Sequence, residues 1–197
     1  MSKHSLIFLF LFSAALIFFG SCDKQKTEAV HLDGSTKDYF QALDGSQWIY
    51  ALVTDSSVTQ TYNSQGYINK QANADLENNE IMYYDMVGTN IPQLTIRCEA
   101  NNVLLRDRIA LITKNDSIYV GPIVYNLTST FSSITNDTIT QMPTMTFGNR
   151  TFKDVVKVAL YKRGVYDAIY YARGLGLVRK DHNDGRVFVL HKYNIIK

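Results

Sequence analysis

From Tyr39 to Lys197 the apolar residues recur at every second position or in short continuous runs, and no stretch carries them at a period of 3.6. That rhythm is the strongest constraint on what the chain can fold into. It predicts strands, whose side chains alternate between two faces, and gives no amphipathic helix a stripe to bury. "SQWIYALV", "SVTQTY", "EIMYYDMV", "IPQLTIRCEA", "VLLRDRIALI" and "IYVGPIVYNL" follow one another in the first half. "TITQMPTMTF", "TFKDVVKVALYKR", "YDAIYYAR", "LGLVRKD" and "RVFVLHKYNII" make up the second.

Turn chemistry separates them: Asn101-Asn102, Gly148-Asn149 and "HNDG" supply residues that tolerate positive φ. Pro122 cannot donate to a ladder, so it predicts a bulge or an edge. The fold class expected is all-β, an antiparallel sandwich, roll or open barrel of roughly nine to eleven strands. The polar stretch "NKQANADLENNE" reads as a loop or one short helical turn.

The N-terminus follows a different rule. Lys3 precedes an apolar run from Leu6 to Phe19 that only Ser13 interrupts, and Gly20 and Ser21 lead into Cys22. The run is too short to cross a ~30 Å hydrocarbon core as a helix and has the layout of a secretory leader. Gly20-Ser21-Cys22 resembles the lipobox of bacterial lipoproteins, with Phe19 standing where that motif usually carries Leu, Val or Ile. The resemblance implies that Cys22 is lipidated and becomes the first residue, and that the protein sits in the bacterial cell envelope. The outer membrane or cell surface is favoured over the inner membrane, and Asp23 after the lipidated cysteine is compatible with either. The alternative is a plain secreted protein in which Cys22 pairs with Cys98.

The domain organisation that follows is 1–21 signal peptide, 22–37 lipidated Cys22 and polar tether, and 38–197 a single β domain. "YFQALDGSQWIY" and "YYARGLGLVRKD" resemble the opening and closing segments of β-domains found in secreted bacterial lipoproteins. That likeness implies the fold and no activity.

Charge narrows the partners. The chain carries 20 basic and 18 acidic residues, and losing Lys3 with the leader leaves 19 against 18. Such a balance has no electrostatic footprint for nucleic acid. The partners expected are the membrane, through the N-terminal lipid, and a glycan, an apolar ligand or another envelope protein.

Cys98 alternates with Leu94 and Ile96 and is expected on the apolar face, as a buried thiol. Gly174-x-Gly176 lacks the third glycine and the following helix of a dinucleotide loop, so a bulge or kink is expected. Asp181, His182, Asn183 and Asp184 are oxygen-rich, but the loop is shorter than an EF-hand loop and contains what a tight hairpin needs. His31, His182 and His191 have no metal-ligand spacing. No catalytic, cofactor or metal residue is assigned, and Cys22 is the one site residue.

Tyrosine is the enrichment with functional flavour. Tyr161, Tyr166, Tyr170, Tyr171 and Tyr193 crowd the C-terminal strands, where sheet packing is the favoured reading and a half-exposed recognition stripe the alternative. Alternation places Tyr166, Ala168 and Tyr170 on one face and Ile169 and Tyr171 on the other, which predicts one of Tyr170 and Tyr171 packed and the other open. The function expected is a lipid-anchored binding or structural module. The rivals are a barrel that carries an apolar ligand and a hydrolase built on carboxylates.

Overall fold

The structure is a computed structural model that describes residues 28–72, 79–100, 108–113, 116–120, 138–160 and 165–197. Eleven strands form one sheet: β1 Gln47–Leu52, β2 Thr59–Lys70, β3 Ile81–Val87, β4 Leu94–Glu99, β5 Arg108–Thr113, β6 Asp116–Val120, β7 Thr138–Phe147, β8 Arg150–Ala159, β9 Tyr166–Ala172, β10 Gly176–His182 and β11 Val187–Asn194. Every pairing is antiparallel. The spatial order is β6-β5-β4-β3-β2-β1-β11-β10-β9-β8-β7.

That order is a meander opened in the middle. β1 to β6 run outward on one side, β7 to β11 run inward on the other, and the first and last strands pair at the centre. The fold is all-β, as the alternation predicts, and it is one sheet, not a sandwich.

The sheet curls into an open half-barrel around a two-turn helix, α1 (Gly34–Phe40). Asp33 caps it by accepting from the Ser35 N–H at 2.8 Å, which satisfies one of the unpaired donors of the first turn. Its Phe40 ring meets Tyr171 of β9 edge-on at 4.8 Å. The Tyr39 hydroxyl donates to the Asp154 carbonyl of β8 at 2.8 Å. Beside them Trp48 stacks on Tyr84 at 6.1 Å. α1 thus closes one end of the curl with aromatic side chains. Seven residues are too few to write a 3.6-residue stripe, which is why periodicity does not announce this helix.

The expected polar tether ends earlier than residue 37. Val30 accepts the Glu80 N–H at 2.9 Å, Leu32 is buried, and α1 begins at Gly34. The reason is Glu80, whose fully buried carboxylate accepts the Leu32 N–H at 3.0 Å and pairs with Lys37 at 2.8 Å, with His31 Nδ1 at 3.4 Å. Burial by itself would raise the pKa of this carboxyl. The hydrogen bond and charge of Lys37, with the Leu32 amide, outweigh that and hold it below its ordinary value. The stretch from 69 to 80 is likewise resolved in part as strand, because β2 runs on through Asn69 and Lys70 to pair with β3.

Strand faces follow alternation until a bulge intervenes. On β4, Leu94, Ile96 and Cys98 point inward and are buried, and Cys98 is a buried thiol as expected. On β9 the expectation fails at one residue. Ala168 pairs with Asp181 and Tyr166 with His182, which leaves Asp167 as an extra residue between them. The bulge turns Tyr166 to the inner face, where its ring meets His182 at 4.7 Å, while Ala168 and Tyr170 stay outside. Nor is either face of β9 open: Tyr170 is 6% exposed and Tyr171 0%. The tyrosines therefore form no exposed stripe there. Cys22, Asn101-Asn102, Pro122 and Tyr161 lie outside the described residues.

Candidate functional site

The register places the other end of the curl. Gln47 starts β1 beside α1, and Leu52 ends it opposite Phe188, so the β1–β2 turn and the β10–β11 turn lie together, away from the helix. Here the inner face carries Tyr50, Tyr62, Tyr166 and Phe188, and among them the side chain of Lys180.

Lys180 comes from a strand that sends its charges both ways. Arg179 and Asp181 face outward, paired in a fork at 2.6 and 3.1 Å, with the Tyr170 hydroxyl donating to Asp181 at 3.0 Å. The guanidinium covers the rings of Tyr170 at 4.8 Å and Phe147 at 4.9 Å. Burial and the Asp181 carboxylate push the Tyr170 phenol up to about 12. Lys180, between them in sequence, faces inward and is 0% exposed.

Its Nζ lies 4.3 Å from the centre of the Tyr50 ring, 4.6 Å from that of Tyr62 and 5.5 Å from that of Phe188. It donates to Gln60 Oε1 at 2.6 Å, and the Tyr62 hydroxyl stands at 3.5 Å. Ring faces attract a cation by ~0.5–2 kcal/mol each, yet among the described residues no carboxylate contacts the amine. Removal from water therefore dominates and pulls the Lys180 pKa from 10.5 down to about 7. Burial thus favours the free amine over the ammonium.

His182 shares the inner face two residues on. Its ring sits between Tyr166 at 4.7 Å and Phe188 at 5.4 Å. Burial, with the Lys180 and Arg186 charges, lowers it to about 4, so it is neutral. Its buried Nε2 has no hydrogen-bond partner among the described residues. A second orphan, the Tyr171 hydroxyl, lies deeper on the same face.

Two bulges prepare this interior. The register of β10 slips between Leu177 and Arg179, and the Leu177 carbonyl accepts the Tyr50 hydroxyl at 2.7 Å across β11. The Leu175 carbonyl accepts Trp48 Nε1 at 2.8 Å. These bonds tie β1 to the β9–β10 hairpin and fix the rings that surround Lys180.

A different feature marks the outer face. Thr59, Thr61, Asn63 and Gln65, at alternate positions of β2, line a groove of about 480 Å³ with Val87, Gly88 and Thr89. Gln47 Nε2 donates to Asn63 Oδ1 at 3.1 Å and fixes that side chain. Gly88 is needed here, because a Cβ would stand 2.4 Å from the Thr61 carbonyl and 2.3 Å from Ile91 Cδ1. The lining is neutral and rich in donors and acceptors.

The sequence motifs settle as follows. "HNDG" is a hairpin turn: Gly185 has φ +84°, and Asp184 accepts from the Arg186 backbone at 3.1 Å and side chain at 2.8 Å. Among the described residues no group of three or more His, Cys, Asp or Glu is placed to hold a metal. Gly174 and Gly176, at φ +79° and +77°, bracket the β9–β10 turn. Sequence reasoning missed Lys180, because "LVRKDHN" reads as solvated charge. Comparison with known protein families, with characterised proteins and with solved structures returns no match.

Proposed function

We propose that the chain is a lipid-anchored cell-envelope protein that acts by binding, with Cys22 as its anchor and the groove over β2 as its contact surface. The anchoring part rests on the ordered leader that ends Gly20-Ser21-Cys22. Acyl chains contribute ~0.8 kcal/mol per buried CH₂, and two or more hold a protein durably. Residues 23–29 then form the tether, at most roughly 25 Å when extended at ~3.3–3.6 Å per residue. The folded domain is then held within that distance of the bilayer.

The observation that carries the binding part is the polar groove of about 480 Å³. Its neutral hydroxyls and amides suit a hydroxyl-rich ligand such as an envelope glycan, and a charged polymer gains nothing there. The carrier reading is less well supported, because the inner face is filled by Trp48, Tyr50, Tyr62, Tyr84 and Tyr171, each at most 2% exposed.

The anchor is tested by labelled palmitate. The natural chain incorporates label, and Cys22→Ala abolishes it and leaves unprocessed precursor; a processed, labelled Ala variant overturns the anchor. The groove is tested by calorimetric titration with soluble cell-wall oligosaccharides. Asn63→Ala should weaken binding at least about tenfold, equivalent to ~1.4 kcal/mol. Equal affinity in the variant, or no binding to the natural protein, overturns the groove.

A further inference from the structure

We propose that Lys180 is a reactive amine that captures small uncharged aldehydes as imines, with Gln60 as its removable cover. Three features of the geometry lead there. First, the amine lies between ring faces, 4.3 Å from Tyr50 and 4.6 Å from Tyr62, so apolar walls flank the nitrogen where an uncharged ligand would displace the Gln60 side chain. Second, its nearest polar partner is Gln60 at 2.6 Å, a half-buried side chain, with the Tyr62 hydroxyl further off at 3.5 Å, so rotation of Gln60 is the shortest route to the nitrogen. Third, the neighbouring His182 Nε2 is buried without a partner among the described residues, and an added hydroxyl on this side would satisfy it.

The chemistry needs only the neutral amine. Its lone pair attacks the aldehyde carbon, a C–N bond forms, and the carbonyl oxygen takes a proton to give a carbinolamine. Loss of that oxygen as water, with the second amine proton, leaves the C=N bond. No oxidant or reductant takes part. Tyr62, with its hydroxyl 3.5 Å from Nζ, and neutral His182 are positioning residues for the hydroxyl that forms and leaves. A depressed lysine pKa serves this reaction, because an ammonium has no lone pair, and burial supplies the depression. The titratable neighbours are Tyr50, Tyr62, Tyr166 and His182 on the inner face, and Asp181, Asp184 and Arg186 beyond it; Lys180 is the inward-facing amine among these groups.

The test uses propanal at substoichiometric amounts with cyanoborohydride at pH 7, followed by peptide mass mapping. Lys180 should gain the propyl group at least tenfold faster than the average surface lysine. Gln60→Ala should raise the Lys180 rate further and leave the surface lysines unchanged. Circular dichroism of the variant guards against unfolding as the cause. His182→Phe should slow capture at Lys180 without lowering the melting temperature, because the ring contacts remain. Labelling of Lys180 no faster than the surface lysines, or only after denaturant is added, overturns the proposal. A Gln60→Ala protein that stays folded with no faster labelling overturns the role of the cover.

Discussion

Replacing Lys180 by Met tests how the buried amine is held. Met has similar length, keeps contact with the Tyr50, Tyr62 and Phe188 rings, and carries no charge to desolvate. Lys180 titrates at 10.5 when solvated and at about 7 in the fold. The sign follows from which state binds the proton. Below pH 7 both states are protonated and the full penalty applies, about 4–5 kcal/mol for a shift of this size. Between pH 7 and 10.5 the unfolded chain still holds the proton that the fold has released, so the lysine protein gains stability as pH rises.

The natural protein should therefore lie several kcal/mol below Lys180→Met at pH 6, and the gap should narrow by about 2–3 kcal/mol on going to pH 9. Paired urea melts at the two pH values measure it, and other titrating groups cancel between the two proteins. A gap that stays constant within ~0.5 kcal/mol refutes the desolvated amine and leaves an ammonium fully compensated by its rings.

Three further outcomes follow from the packing. Tyr171→Phe removes a buried hydroxyl with no partner among the described residues and should be neutral or stabilising by up to ~1 kcal/mol, whereas Tyr171→Ala and Tyr170→Ala should each cost about 3–5 kcal/mol in urea melts. Glu80→Gln should cost about 3 kcal/mol and loosen residues 30–37, seen as faster amide exchange at Leu32; in the natural protein the lowered Glu80 pKa adds stability that is complete above pH ~4.5 and is lost as acid protonates the group below that. Cys98, at 0% exposure, should react with a thiol reagent in leaderless protein only after denaturant is added.

Much of the sheet is legible in the residues, and the reason is that alternation is a local property. Leu94, Ile96 and Cys98 alternate with polar neighbours, and all three are found inward. Gly185 sits at the positive φ that its hairpin demands. What alternation cannot carry is register. Asp167 is left unpaired where β9 meets β10, and no feature of "YDAIYY" shows that Tyr166 will face away from Tyr170. Topology is similarly hidden, since β1 and β11 find each other across nearly the whole chain.

Lys180 was hidden for a different reason. Val178, Lys180 and His182 alternate against Arg179 and Asp181, so charge stands on both sets and hydropathy cannot choose the inner one. The clue was available in the partners: an outward fork between Arg179 and Asp181 satisfies both charges, which sends the unpaired lysine to the face with the rings. The proposed anchor, by contrast, is read from the leader alone, and the described residues add only the clasp at Val30.

If Cys22 carries the proposed anchor, the mass of the mature N-terminus shows it most directly. Protein purified in detergent from its native membrane should yield an N-terminal peptide beginning at Cys22 and carrying a diacylglyceryl thioether, two or three acyl chains in all. A mature N-terminus at another residue, or an unmodified Cys22 in a protein released without detergent, would contradict the account.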